Sequence, residues 1–164
     1  MFKKLLLARH AQAFDSEPGI SDYDRELTGQ GMKDSSRMGK FLSDHQLKPD
    51  LILSSAASRA KNTAIMMAEQ LNYNTERIVL DEELYEASVR IFLKLINELD
   101  DQYEKVLMLG HNPTISHLAE YLTDSEVDNV RKAGIVIINF EIKSWAEVSK
   151  SVGHMEAYHH PDNI

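Results

Sequence analysis

Four short apolar runs set the terms for this chain: Leu5 to Leu7, Leu51 to Leu53, Ile78 to Leu80 and Val106 to Leu109. None alternates with polar residues, so each reads as a strand covered on both faces, the habit of parallel sheets. Between them the apolar residues recur with a helical period. Ala64, Met67, Ala68 and Leu71 fall at i, i+3, i+4, i+7, as do Val89, Phe92, Leu93 and Ile96, and each set lines one helix face. A further helix is expected after Thr28, carrying Met32, Phe41 and Leu42, and another carries Ile115, Leu118 and Leu122. Strands alternating with helices predict an α/β fold, three layers (α/β/α) around a mostly parallel central sheet. Near the end, "GIVIINFEI" and the stretch through "HMEAY" predict two more strands joined by a polar turn.

A chain of 164 residues can bury one substantial core, so residues 1–164 are expected to form a single domain. The 26 Asp and Glu outnumber the 18 Lys and Arg, giving a net charge of -8. That balance argues against a nucleic-acid partner, whose phosphates would be repelled. There is no cysteine, which removes disulfides, zinc-thiolate sites and thiol nucleophiles together. In "MFKKLLLARH" two lysines precede an apolar stretch too short for a secretory signal, and no window resembles a membrane span. A soluble, cytoplasmic monomer is expected. His154, His159 and His160 near the carboxyl end lack a third ligand on a fixed element, so no metal is expected there, and the tail "HHPDNI" is expected to fray.

Three of the strand candidates end in polar turns: "LLLARH", "LILSSAASRA" and "VLMLGHNPT". In an open parallel sheet all carboxyl ends point the same way, and ligands bind in the crevice beyond them. The fold should therefore gather Arg9, His10, Arg59 and His111 in one place. Two of the turns also feed helices, whose first N–H groups favour an anion. Asn112 is expected to cap one of these helices with Pro113 in its first position, and Ser58 to cap the other, with Arg59 in its first turn. Guanidinium forks, imidazoles and helix amino ends together suit a phosphoryl group. Any one of these residues alone has an ordinary structural explanation; their shared placement is what points to a site.

"LLLARHAQA", "DRELTGQG", "LILSSAASRAKNTA", "ELYEAS" and "VLMLGHNPTIS", in that order, resemble the histidine phosphatase superfamily in its phosphoglycerate mutase-like branch 1, and within it the short SixA-like phosphohistidine phosphatases. The resemblance implies a phosphoglycerate mutase-like fold and a phosphatase that works through a phosphohistidine enzyme intermediate without a cofactor or metal. It implies His10 as nucleophile and Arg9 as a phosphate clamp. Arg25 of "DRELT", Arg59 and His111 match the family's other phosphate-binding residues, and Asn112 at the head of its helix joins that set. Glu86 of "ELYEAS" matches the position that supplies a catalytic acid in many members. A solvated surface glutamate is an equal reading, with Glu82 and Glu83 as substitutes. The family usually has glycine where this chain has Ala11, and a backbone that needs positive φ there would be strained by alanine.

The resemblance also implies a phosphorylated substrate, with a phosphohistidine protein as the leading candidate. Two alternatives stay open on the sequence: a small-molecule phosphomonoesterase of the same fold, and a phosphate-binding module without catalysis.

Overall fold

The computed structural model describes residues 2–164. β1 (Lys3–Arg9) lies inside a six-stranded sheet that also contains β2 (Leu51–Ser55), β3 (Val79–Asp81), β4 (Lys105–Gly110), β5 (Ile135–Phe140) and β6 (His154–His159), in the spatial order β3-β2-β4-β1-β5-β6. The pairs β1–β4, β2–β4 and β2–β3 are parallel, while β5 pairs antiparallel with both β1 and β6. Four helices complete the architecture: α1 (Gly29–Asp44), α2 (Ser58–Gln70), α3 (Val89–Asn97) and α4 (Thr114–Thr123).

The side-chain alternation of each central strand feeds two cores. Leu5 and Leu7 of β1 and Val106 and Met108 of β4 face α3, α4 and Trp145 on one side. Leu6, Ala8, Leu107 and Leu109 face α1 and α2 on the other, against Met38, Leu42, Ala64 and Met67. All eight strand residues are fully buried, which is why those runs carry no polar alternation. The expected three layers are present, with a mostly parallel sheet.

Three expectations need correction. β3 is a short edge strand whose Val79 and Leu80 stay exposed, so its apolar run does not report burial on two faces. Helix α2 has Ala57 at its cap position and no side-chain cap, because Ser58 already lies within the helix; the hydroxyl of Ser55 accepts from the Ala57 amide instead. The tail does not fray: Pro161 is buried, its carbonyl accepts from Arg37, and Asp162 pairs with Arg131. The helix expected after Thr28 is α1; Thr28 caps it, its hydroxyl accepting from the Gly31 amide, and Ser88 caps α3 in the same way. Among the described residues no helix is long and apolar enough to cross a membrane.

Candidate active site

β1, β2 and β4 run parallel and finish side by side, with Arg9 opposite Gly110 in the β1–β4 register. The residues that follow them are therefore neighbours despite their distance in sequence. The His10 amide donates to the Gly110 carbonyl, extending the ladder one residue past β1, and the His10 carbonyl accepts from Ala133. This fixes the His10 backbone on both sides, and the residue is only 8% exposed.

The ring of His10 has one defined partner. Its Nδ1 lies 2.8 Å from the carbonyl oxygen of Ala11, which can only accept, so Nδ1 carries the proton and Nε2 keeps its lone pair. Burial pushes the His10 imidazole down to about 3; the Ala11 bond opposes this, and the neighbouring His111, Arg59 and Arg9 add to it. Ala11 itself is buried, donates its amide to Thr63 Oγ1, and is not among the residues with positive φ, so the alanine here carries no backbone strain.

His111 stands across from His10 with ring centroids 5.2 Å apart. Its Nε2 is 2.8 Å from Ser55 Oγ, while its buried Nδ1 has no partner. Burial, then the charge of Arg59, holds this imidazole down to about 4, with Arg25 and Arg9 contributing and Asp22 opposing. Arg9 and Arg59 therefore act on both histidines, and Arg25 on His111 alone. Arg9 donates through Nη1 to the Val130 carbonyl, and its buried Nε is unpartnered. Arg59, on the first turn of α2 and 5% exposed, donates to the main-chain and side-chain oxygens of Asp22 and likewise has an unpartnered buried Nε. Arg25 is tied to Asp22 and to the Phe14 carbonyl. Among the described residues, Arg9 Nε, Arg59 Nε and His111 Nδ1 are buried and have no protein partner, so their hydrogen-bonding capacity is not used by the fold itself.

Two expected residues sit differently. Asn112 spends its side-chain amide on Asn129 and the Val130 carbonyl, and its oxygen accepts from Ser116, so it braces the 129–130 loop; Pro113, not Asn112, takes the cap position of α4. Glu86 is exposed and makes no hydrogen bond or ion pair among the described residues, although its charge is felt by Tyr85. Glu82 is occupied by the Tyr23 hydroxyl.

Asp22, Ser55 and Tyr85 escaped the sequence reading. Ser55 had a signal, since "LILSS" ends an apolar run on two hydroxyls. Asp22 stands three residues before Arg25, a spacing that gives an ion pair here, but nothing in sequence ties it to Arg59 or Tyr85. The three carboxyl-terminal histidines do not converge: His154 and His159 are at opposite ends of β6, His159 rests against Phe41, and His160 against Tyr158.

The sequence and the fold have counterparts among known proteins. The family model described as histidine phosphatase superfamily (branch 1) matches residues 5–93. An uncharacterised protein of Mycobacterium tuberculosis is 29% identical over 163 residues, covering 93% of this chain and 99% of that one. A SixA structure from Agrobacterium tumefaciens superposes with a TM-score of 0.83 at 25% identity, covering 97% of this chain and 98% of the other. The protein histidine phosphatase SixA complexed with tungstate gives a TM-score of 0.84 at 20% identity, with 98% of each chain covered, a likeness of fold.

Proposed function

The chain belongs to branch 1 of the histidine phosphatase superfamily, and from that premise we propose that it is a phosphohistidine phosphatase in which His10 is the nucleophile. The observation that carries this is His10 itself: a buried, neutral imidazole with its proton fixed on Nδ1 and the Nε2 lone pair left free, in the field of Arg9 and Arg59. The nitrogen attacks phosphorus in line with the bond to the leaving group; that bond breaks as the new P–N bond forms, and the leaving group departs with its electron pair and takes up a proton. Water then attacks the phosphorylated His10, releasing inorganic phosphate and restoring the imidazole.

Phosphoryl transfer spreads charge over the equatorial oxygens, and catalysis consists mainly of holding that charge. Arg9, Arg25 and Arg59 supply fixed positive charge for it. His111 adds a donor in the tautomer in which Ser55 Oγ donates to Nε2 and the ring proton sits on Nδ1, the atom left without a partner among the described residues. Asn112 acts at one remove, by holding the loop whose Val130 carbonyl anchors Arg9.

Phosphohistidine as substrate is supported by the likeness to SixA structures and by what surrounds the site. All four helices are spent on covering the sheet, and the segments flanking the pocket include only single 3₁₀ turns, at Asp22–Asp24 and Glu82–Leu84. A phosphoryl group carried on another protein can reach such a site. The exposed Glu86 is the candidate proton donor. Monomeric, cytoplasmic action belongs to the same reading and rests on composition alone.

The test compares wild type and Glu86→Gln on a phosphohistidine protein, an aryl phosphate and an alkyl phosphate. The imidazole of phosphohistidine is readily protonated, so Glu86→Gln should barely slow that substrate, whereas loss of a needed general acid costs about 10²–10⁴ in rate on poor leaving groups. A wild type fastest on the alkyl phosphate, with that activity abolished in Glu86→Gln, would make the protein a small-molecule phosphomonoesterase instead.

A further inference from the structure

Among the described residues, Asp22 is the carboxylate that grips two of the pocket's arginines at once. Its Oδ1 accepts from Arg25 Nε at 3.0 Å, its Oδ2 from Arg59 Nη2 at 3.1 Å, and its main-chain oxygen from Arg59 Nη1 at 2.7 Å. The Tyr85 hydroxyl also donates to Oδ2, at 2.5 Å, and the Tyr85 ring stands edge-on to His111. One acidic residue thus joins two segments of the pocket wall, the turn at Asp22–Asp24 and the turn ending before Tyr85, to both guanidinium groups.

We infer that Asp22 is a positioning residue: it sets Arg25 and Arg59 at the angle and spacing that phosphoryl oxygens require, and it stays in place while they hold the phosphoryl group. The inference rests on the proposed role of these arginines in the reaction.

The alternative is that the carboxylate merely fills the anion's place until substrate displaces it. Donor bookkeeping favours positioning. A guanidinium has more N–H groups than these contacts consume. Arg25 Nη2 takes part in no hydrogen bond, and Arg59 keeps its buried Nε free. A phosphoryl group can therefore bind the faces Asp22 leaves open. The main-chain contact to Arg59 points the same way, since displacing the carboxylate would leave that bond intact. Asp22 is also held locally: it begins a 3₁₀ turn that Ser21 caps by accepting from the Asp24 amide. Its side chain is about half exposed, so its ion pairs add little to folding, and their effect falls on orientation.

The experiment is titration of orthovanadate into wild type, Asp22→Asn, Asp22→Glu, Tyr85→Phe, Arg25→Ala and the Asp22→Asn/Arg25→Ala double variant, with kcat and KM on an aryl phosphate for each. Loss of a charge-assisted contact to the arginines should weaken vanadate binding about tenfold or more in Asp22→Asn. Tyr85→Phe should weaken it less, and Asp22→Glu should retain most of it. Because Asp22 acts through its arginines, its effect should shrink several-fold in the Arg25→Ala background. Tighter vanadate binding by Asp22→Asn would identify the carboxylate as a competitor and overturn the inference. Unchanged binding in both Asp22→Asn and Tyr85→Phe, or full additivity with Arg25→Ala, would overturn it too. A wild type that turns over the aryl phosphate while Asp22→Asn behaves identically refutes only the role of Asp22; a wild type that neither binds vanadate nor turns over substrate refutes the phosphatase reading beneath it.

Discussion

Burial does two things to His10. It removes the water that would solvate the charged imidazolium, and it places the ring in the field of Arg9 and Arg59, so the base stays neutral far below its ordinary range. The profile of kcat/KM against pH should therefore show no enzyme inflection near pH 6.5 once the substrate's own ionisation is subtracted; the acid limb should lie below about pH 5. An inflection at 6.5 would show a solvated histidine and contradict the buried geometry. The same two histidines give the sign for stability. Their folded pKa values, about 3 for His10 and about 4 for His111, lie below the unfolded value, so below pH 6.5 the unfolded chain binds more protons and stability falls as pH drops toward 4. Arg9, His10, Arg59 and His111 were legible in sequence because each lies at or just beyond the end of a strand, or in the first turn of the helix that follows one. Arg25 was legible only through resemblance. Asp22 was not, because its partners Arg59 and Tyr85 are 37 and 63 residues away and no local pattern encodes the meeting.

The loop after β1 holds its shape against α1. The amide of Thr28 donates to the Gln12 carbonyl, the Thr28 hydroxyl to the Gln12 side chain, and Gly31 comes so near that an added Cβ would lie 2.0 Å from the Gln12 oxygen. Gly31→Ala must push this loop away, and overpacking of this kind costs about 1–3 kcal/mol, read as a lower denaturant midpoint. Because the loop includes Ala11, whose carbonyl orients His10, kcat should fall with stability. An unchanged midpoint and an unchanged kcat would show that the close packing is not needed. Elements were easier to read than their ends. The apolar periods located β1, β2, β4 and helices α2, α3 and α4, since burial on a sheet or helix face is what writes those periods; α1 was placed by Thr28, and its buried face is Gly31, Ser35, Met38, Gly39 and Leu42 while Met32 is exposed. The run at Ile78 misled because an exposed edge strand can carry Val and Leu, and Ser58 misled because it already lies inside α2, whose cap position is taken by Ala57 without a side-chain cap. The tail looked like a loose end because its anchors, Arg37 and Arg131, lie far up the chain.

The whole molecule is acidic, with a net charge of -8, yet it concentrates three arginines and two histidines beyond the ends of its parallel strands. Self-repulsion of the surface and attraction at the pocket are separate matters, because charges more than a Debye length apart in water are screened while partly buried ones are not. The overall fold explains how so few residues suffice: adjacent parallel strands deliver His10, Ser55 and His111 to one line, and the helix that follows β2 adds Arg59. In the proposed reaction this pocket places a phosphoryl group on His10. The most direct measurement of that step is to mix the protein briefly with a radiolabelled aryl phosphate, quench in alkaline detergent, and map the label by peptide analysis. The expected result is phosphate on the peptide containing His10, stable to base and released by acid, absent in His10→Ala along with turnover. Full turnover by His10→Ala, or label on another residue with His10 unmodified, would contradict it.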